Sequence, residues 1–152
     1  MLYIDTSSLL KLLWQEAESE QTRKRIAAEQ KVVLSSLAEL EADVQLAAAW
    51  LAGKYSRAKL SASRRALSAF PEIDPFERTE LPGELFHVAL RQERRVSEPH
   101  CGTLDRLHLA AMEWLGLSRL LTHDHRQAQA ARALGFEVIP MDFSHGWICA
   151  RG

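Results

Sequence analysis

The chain has little that would staple, anchor or address it. Its 152 residues include two cysteines, Cys101 and Cys149. They lack the spacing of metal ligands, so both are expected to be reduced and structural rather than paired. No apolar run approaches the roughly 18 residues that span a bilayer. The N-terminus has neither the basic start nor the small-residue cleavage site of a signal peptide, so no membrane association is expected and the expected compartment is the cytoplasm. Lys plus Arg number 19 against 20 for Asp plus Glu, a net charge of -1, and no global basic bias announces nucleic acid. There is no internal repeat and no low-complexity linker. What remains is the profile of one ordinary globular domain, 47% hydrophobic and 26% charged, long enough to bury a core without staples.

The distribution of charge says more than its sum. Acids crowd the first part of the chain (Asp5, Glu16, Glu18, Glu20, Glu29, Glu39, Glu41, Asp43). Lys54, Arg57, Lys59, Arg64 and Arg65 follow with no acid among them. That basic block could face phosphates or be the solvated side of a surface helix. Arg91, Arg94 and Arg95 make a second cluster.

Leu2-Tyr3-Ile4 is an apolar run too short for a helix, followed by Asp5-Thr6-Ser7, types that end strands and cap helices. It reads as a short buried strand. Further strands are expected at Lys31 to Leu34, weakly at Phe76 to Leu81, at Arg119 to Thr122 and at Glu137 to Ile139. Helical patterns lie between them, including one after Ser35-Ser36 whose apolar stripe is read as Leu37, Leu40, Val44, Ala47, Ala48 and Leu51. Another starts at Thr103, read as its N-cap. Trp14, Trp50 and Trp114 are expected in core or interface packing. Alternating strands and helices predict an α/β fold, a three-layer α/β/α sandwich around a mainly parallel sheet. The domain is expected to span residues 1–140, with 141–152 a tail of no assigned role.

On that scaffold Asp5 and Asp124 each follow a strand directly, and Asp105 opens a helix that precedes one. All three fall at the carboxyl-end edge of the sheet, where parallel α/β folds bind ligands. Glu41 enters from a neighbouring helix, inside its apolar stripe, where an unpaired charge is costly; Glu39 and Asp43 sit on its flanks. Taken singly, Asp5 and Asp124 could be plain helix caps and Asp105 a favourable first-turn charge. Together they repel, and no lysine in these motifs neutralises them. A hard divalent cation would, with Mg²⁺ the expected ion and Mn²⁺ an acceptable one.

These stretches, Leu-Tyr-Ile-Asp5-Thr6-Ser7-Ser8, Ser35-Ser36-Leu37-Ala-Glu-Leu-Glu41, Leu104-Asp105-Arg-Leu-His108 and Leu-Leu-Thr122-His-Asp124, resemble the four acidic motifs of PIN domains. The nearest branch is the VapC-type toxins of toxin-antitoxin pairs. The resemblance runs in order from about residue 1 to 140. It implies a metal-dependent endoribonuclease, an antitoxin partner that blocks the site, and a homodimer. Asp5, Glu41, Asp105 and Asp124 match the metal-site acids, and Thr6 or Ser7 and Thr122 the hydroxyls that orient them. Glu39 competes with Glu41, but the motif spacing and the helical face favour Glu41. Some relatives carry a further acid or Asn just after the fourth motif; here His125, Arg126 and Gln127 follow Asp124, which leaves the number of metals open.

The expected chemistry is hydrolysis of an RNA phosphodiester by water activated at the cation, leaving 5′-phosphate and 3′-hydroxyl ends as the resemblance implies. Arg64, Arg65, Arg94, Arg95 and Arg126 are the candidate phosphate contacts. Single-stranded loops are the natural target. His108, His123 and His125 are read as structural or RNA-contacting, because a cation makes a catalytic histidine unnecessary. Two rivals remain: a phosphatase forming an aspartyl-phosphate, which would place a second Asp where this chain has Ser7, and an inactive module that binds RNA or a partner.

Overall fold

The computed structural model describes residues 1–139; the expected tail and Cys149 lie outside the described residues. Five short strands form one sheet: β1 (Leu2–Ile4), β2 (Val32–Ser35), β3 (Phe76–Thr79), β4 (Arg119–Leu121) and β5 (Glu137–Val138). Their order is β3-β2-β1-β4-β5, and every pairing is parallel. Parallel neighbours require crossovers, and helices supply them. These are α1 (Thr6–Leu13), α2 (Ser19–Ala27), α3 (Ser36–Leu51), α4 (Arg57–Ala69), α5 (Leu85–Arg95), α6 (Thr103–Trp114) and α7 (His125–Ala133).

Side chains alternate across a strand, and here the alternation sorts the layers. Leu2, Ile4, Val32 and Leu34 point to a core shared with α1, α2, α3 and α4. Tyr3, Val33 and Leu120 point the other way, to a core shared with α5, α6 and α7. The result is the expected three-layer sandwich, with the sheet wholly parallel. The chain builds outward from β1 to β3 on one side and then crosses to β4 on the other. The order therefore reverses between β1 and β4, which opens a crevice at their carboxyl ends.

Three of these strands run straight into helix caps. Asp5 after β1, Ser35 at the end of β2 and Asp124 just after β4 are the N-caps of α1, α3 and α7, each accepting a backbone N–H with its side-chain oxygen. The N-cap of α6 is Gly102, not Thr103, which is the first helical residue. Cys101 is a buried free thiol.

Two expectations about packing need correction. The buried face of α3 is Ala38, Ala42, Leu46 and Ala49, whereas Leu40, Val44 and Leu51 are exposed. Small alanines let the helix lie close to the sheet, so the bulky residues that dominate the pattern face outward. Of the three tryptophans expected in core or interface packing, Trp14 is half-buried against Tyr55 and the α1–α4 core, whereas Trp50 and Trp114 are exposed and take no part in the core. The revised α3 face is testable by urea unfolding. Leu46→Ala should cost about 2–5 kcal/mol, and Leu51→Ala should stay within about 0.5 kcal/mol of wild type. The opposite ranking would restore the Leu40/Val44/Leu51 stripe.

Candidate active site

Asp5 is only 2% exposed, and a buried carboxylate must be hydrogen-bonded or paired. Its Oδ1 accepts from the Ser8 backbone N–H at 2.9 Å, which caps α1. The Ser7 hydroxyl donates to the same carboxylate, 2.7 Å from Oδ2, and the Thr122 hydroxyl donates to Oδ2 at 2.6 Å. Each hydroxyl also accepts from the loop after β4: Ser7 Oγ from the His123 N–H at 2.8 Å and Thr122 Oγ1 from the Asp124 N–H at 2.9 Å. One carboxylate thus fastens the ends of β1 and β4 together. Ser7 and Thr122 hold Asp5, whereas Thr6 turns to Glu41.

Asp105 and Asp124 face the same crevice. Asp124 Oδ1 accepts from the Gln127 N–H at 2.9 Å, and Asp105 Oδ2 accepts from the Gly102 N–H at 3.0 Å. A Cβ added at Gly102 would stand 3.1 Å from that oxygen, so the glycine is what lets the carboxylate sit so close to the backbone. Burial pushes the Asp105 pKa up, and the Asp124 and Asp5 carboxylates push it further. Asp105 is therefore near enough to Asp124 and Asp5 to feel their charge.

Glu41 is half-buried on α3. Its Oε2 accepts from Thr6 Oγ1 at 2.7 Å and lies 2.6 Å from His108 Nε2. A ring nitrogen that close to a carboxylate oxygen must carry the proton. His108 Nδ1 is 2.8 Å from the Tyr3 hydroxyl, which is 2.7 Å from Ser35 Oγ. Burial alone would raise the Glu41 pKa, but the His108 and Thr6 hydrogen bonds outweigh it and hold it below the ordinary value. Glu39, its competitor in sequence, is bonded to Arg78 at the surface.

Sequence reasoning missed Tyr3, Ser35, Ser8 and Gln127. Ser8 and Ser35 are small hydroxyl residues near strand ends, a signal that carries little weight before the register is known, whereas Tyr3 inside β1 and Gln127 in the first turn of α7 gave none. His108 and His123 are buried and structural; His123 lies between Ser8 Oγ at 2.9 Å and Thr22 Oγ1 at 3.3 Å. Gln127 is fully buried with its amide 3.0 Å from Thr122 Oγ1, so it supports the Asp5 cluster from behind. Arg65, Arg94 and Arg126 are exposed. Arg64 is bonded through two nitrogens to Asp43, and Arg95 to Glu113; exposed pairs of this kind are weak and exchangeable.

Among the described residues no three His, Cys, Asp or Glu side chains stand together as a ready metal cage. The donors nevertheless suit a hard cation in kind and charge. They are carboxylates, and among the described residues Asp5, Asp105 and Asp124 form no ion pair with Lys or Arg. Burial together with neighbouring negative charge raises the Asp105 pKa, and a divalent cation would relieve both.

The same repulsion has a stability consequence. An acid whose pKa is raised by folding weakens the fold wherever it is ionised, and the penalty vanishes once it is protonated. Without added metal, Asp105→Asn keeps an acceptor for the Gly102 N–H. It should raise stability at neutral pH, by no more than about 1 kcal/mol because solvent screens a half-exposed carboxylate. The gain should fade as the pH falls through the raised titration range of Asp105. Urea unfolding at several pH values checks this; a loss of stability at neutral pH would refute it.

The profile of the PIN domain family matches residues 2–133. Ribonuclease VapC46 of Mycobacterium tuberculosis is 34% identical over 141 residues, which cover 91% of this chain and 95% of that protein. Ribonuclease VapC35 of the same organism is 29% identical, covering 91% and 96%. Among solved structures, M. tuberculosis VapC20, described as a sarcin-ricin loop cleaving toxin, superposes with a TM-score of 0.68 at 19% identity, covering 90% and 96%. VapBC2 from Rickettsia felis, bound to a promoter DNA fragment, gives 0.66 at 12%, covering 91% and 98%. At such identities the structural likeness concerns the fold. The family profile and the VapC46 relation span nearly the whole chain, and the chain belongs to the PIN-domain family, in its VapC-type ribonuclease branch.

Proposed function

We propose that this chain, an endoribonuclease of the VapC toxin type by its family, hydrolyses RNA phosphodiester bonds in the crevice between β1 and β4. In this reading Asp5, Glu41, Asp105 and Asp124 hold Mg²⁺, with Mn²⁺ able to replace it. The observation that carries the reading is the convergence of three aspartates without a Lys or Arg ion pair among the described residues; burial, with the Asp124 and Asp5 charges added to it, raises the Asp105 pKa. When bound, the cation lowers the pKa of the attacking water and offsets charge on the transferring phosphoryl group.

The chain's own residues set the geometry. Ser7 and Thr122 fix the Asp5 carboxylate in one orientation. Thr6 and His108 do the same for Glu41 and keep it ionised. The N-terminal ends of α1, α6 and α7 lie at this edge, and their partial positive charge favours an anionic substrate. Arg126, in the first turn of α7, would meet phosphate beside the cut, and Arg64, Arg65, Arg94 and Arg95 more distant phosphates. The products would carry 5′-phosphate and 3′-hydroxyl ends. The nuclease domain would comprise residues 1–140, with 141–152 a tail.

The family also supports a cognate antitoxin as partner, and the structural neighbour VapBC2 points the same way. A homodimer and a cytoplasmic setting belong to the same reading. No helix among the described residues is long and apolar enough to cross a membrane.

The test is cleavage of purified RNA, with mapping of new 5′ ends. Discrete cuts should require Mg²⁺ or Mn²⁺, stop with a chelator, and disappear in Asp5→Asn and Asp105→Asn. Thr122→Val should lower the rate by about 10–100-fold without moving the cut sites, because it loosens Asp5 rather than removing it. RNA bound but uncut by well-folded wild type in either metal would favour an inactive binding module instead.

A further inference from the structure

Between α5, the loop before α6 and the first turns of α6 lies a cavity of about 470 Å³. Its walls are apolar, from Ala89, Leu90 and Leu107, with exposed Phe86 at the rim. Glu93, His100, Cys101, Thr103 and Arg106 complete it. Arg106 is only 5% exposed, an unusual place for a guanidinium. Its Nη2 donates to the Val96 carbonyl at 3.1 Å and is 2.8 Å from Glu93 Oε2. Its Nε and Nη1 are buried and have no hydrogen-bond partner among the described residues. A buried N–H left without an acceptor is costly, so the group is held ready for one.

The position of this cavity limits what could enter it. Arg106 directly follows Asp105 on α6 and turns about 100° away from it, so the pocket lies on the neighbouring face of the helix that carries one of the proposed site acids. A ligand that reaches both must carry a phosphate and, next to it, a flat apolar body with an acceptor at its edge. A nucleobase has that form. Unpaired bases are commonly splayed onto aromatic side chains and read along their edges. Guanine and uracil present a carbonyl oxygen where adenine and cytosine present an amino group. An amino donor facing the N–H groups of Arg106 would leave both without partners.

We propose that this pocket seats an unpaired guanine or uracil of the RNA beside the scissile phosphate, with Arg106 reading its carbonyl and Phe86 covering its face. The inference rests on the nuclease reading above. It makes Arg106 a residue that sets specificity, chemically separate from the acids that cut.

The experiment is digestion of a fully randomised single-stranded RNA library by the purified chain with Mg²⁺ or Mn²⁺, followed by sequencing of the ends. At one position flanking the cut, guanine plus uracil should exceed adenine plus cytosine by about fivefold or more. Phe86→Ser and Arg106→Gln should each push that position toward even use of the four bases. Because Arg106 is buried and its variant could fail to fold, Leu90→Ser at the exposed rim provides a third readout. Cuts with no such preference overturn the pocket, as does a preference that survives all folded variants. If Phe86→Ser instead halves the mass in solution with the base preference intact, the occupant is a second copy and the proposal falls. Absence of any cutting by wild type removes the nuclease reading itself, and this inference with it.

Discussion

A carboxylate buried at the end of the central strand governs this molecule. Leaving Asp5 charged and dry would be prohibitive without donors, and the donors come from both sides of a chain crossing. Ser7 and the Ser8 N–H belong to α1, and Thr122 follows β4. The same two hydroxyls accept from His123 and Asp124 backbone N–H groups. The loop that carries Asp124 therefore takes its path from Asp5. Solving the hydrogen-bonding problem of one acid brings a second one to its side, so fold and site share one set of bonds.

This is why reading each acid as a helix cap and reading the acids as a site are compatible. Asp5 and Asp124 are N-caps, and Asp105 bonds the N-cap backbone of α6. Each makes the local bond that any helix start would want. What the cap reading omits is that three caps share one edge of a parallel sheet, a property of topology. The motif order and the strand-helix alternation were legible in the sequence because they need only local patterns. The register of β1 against β2 and β4 was not, and Tyr3, Ser35 and His108 meet only through that register. The buried face of α3 was hidden for another reason. Hydrophobic periodicity weighs Leu40, Val44 and Leu51 above Ala38, Ala42 and Ala49, yet close approach to a sheet selects the small residues.

Glu41 stands somewhat apart electrostatically. Burial and the Asp124 and Asp5 charges make Asp105 costly to ionise, whereas Glu41 has His108 and Thr6 to hold it charged. That division suits a site where one carboxylate is fixed in advance and others become comfortable only when positive charge arrives. Gln127 adds to the fixed part. Its Oε1 and Asp5 both lie within reach of the single Thr122 hydrogen. Turning the amide over would let its Nε2 donate to Thr122 and free that hydrogen for Asp5 alone. Gln127 is then a buried support of the Asp5 cluster.

Charge separation within α6 completes the arrangement. Asp105 and Arg106 are neighbours in sequence, and an arginine falling onto the aspartates would neutralise them and block a cation. The helix prevents this by turning about 100° per residue, which sends the two side chains to different partners. Asp105 is tied to Gly102 at the sheet edge, whereas Arg106 is drawn across to Val96 and Glu93. Glu93 offsets the Arg106 charge locally, so the guanidinium can stay buried without compensating the acids. One helical turn thus carries uncompensated negative charge on one side and an under-bonded cationic group on the other. An RNA strand, with its phosphate and its base displaced to opposite sides of the sugar, can answer both at once.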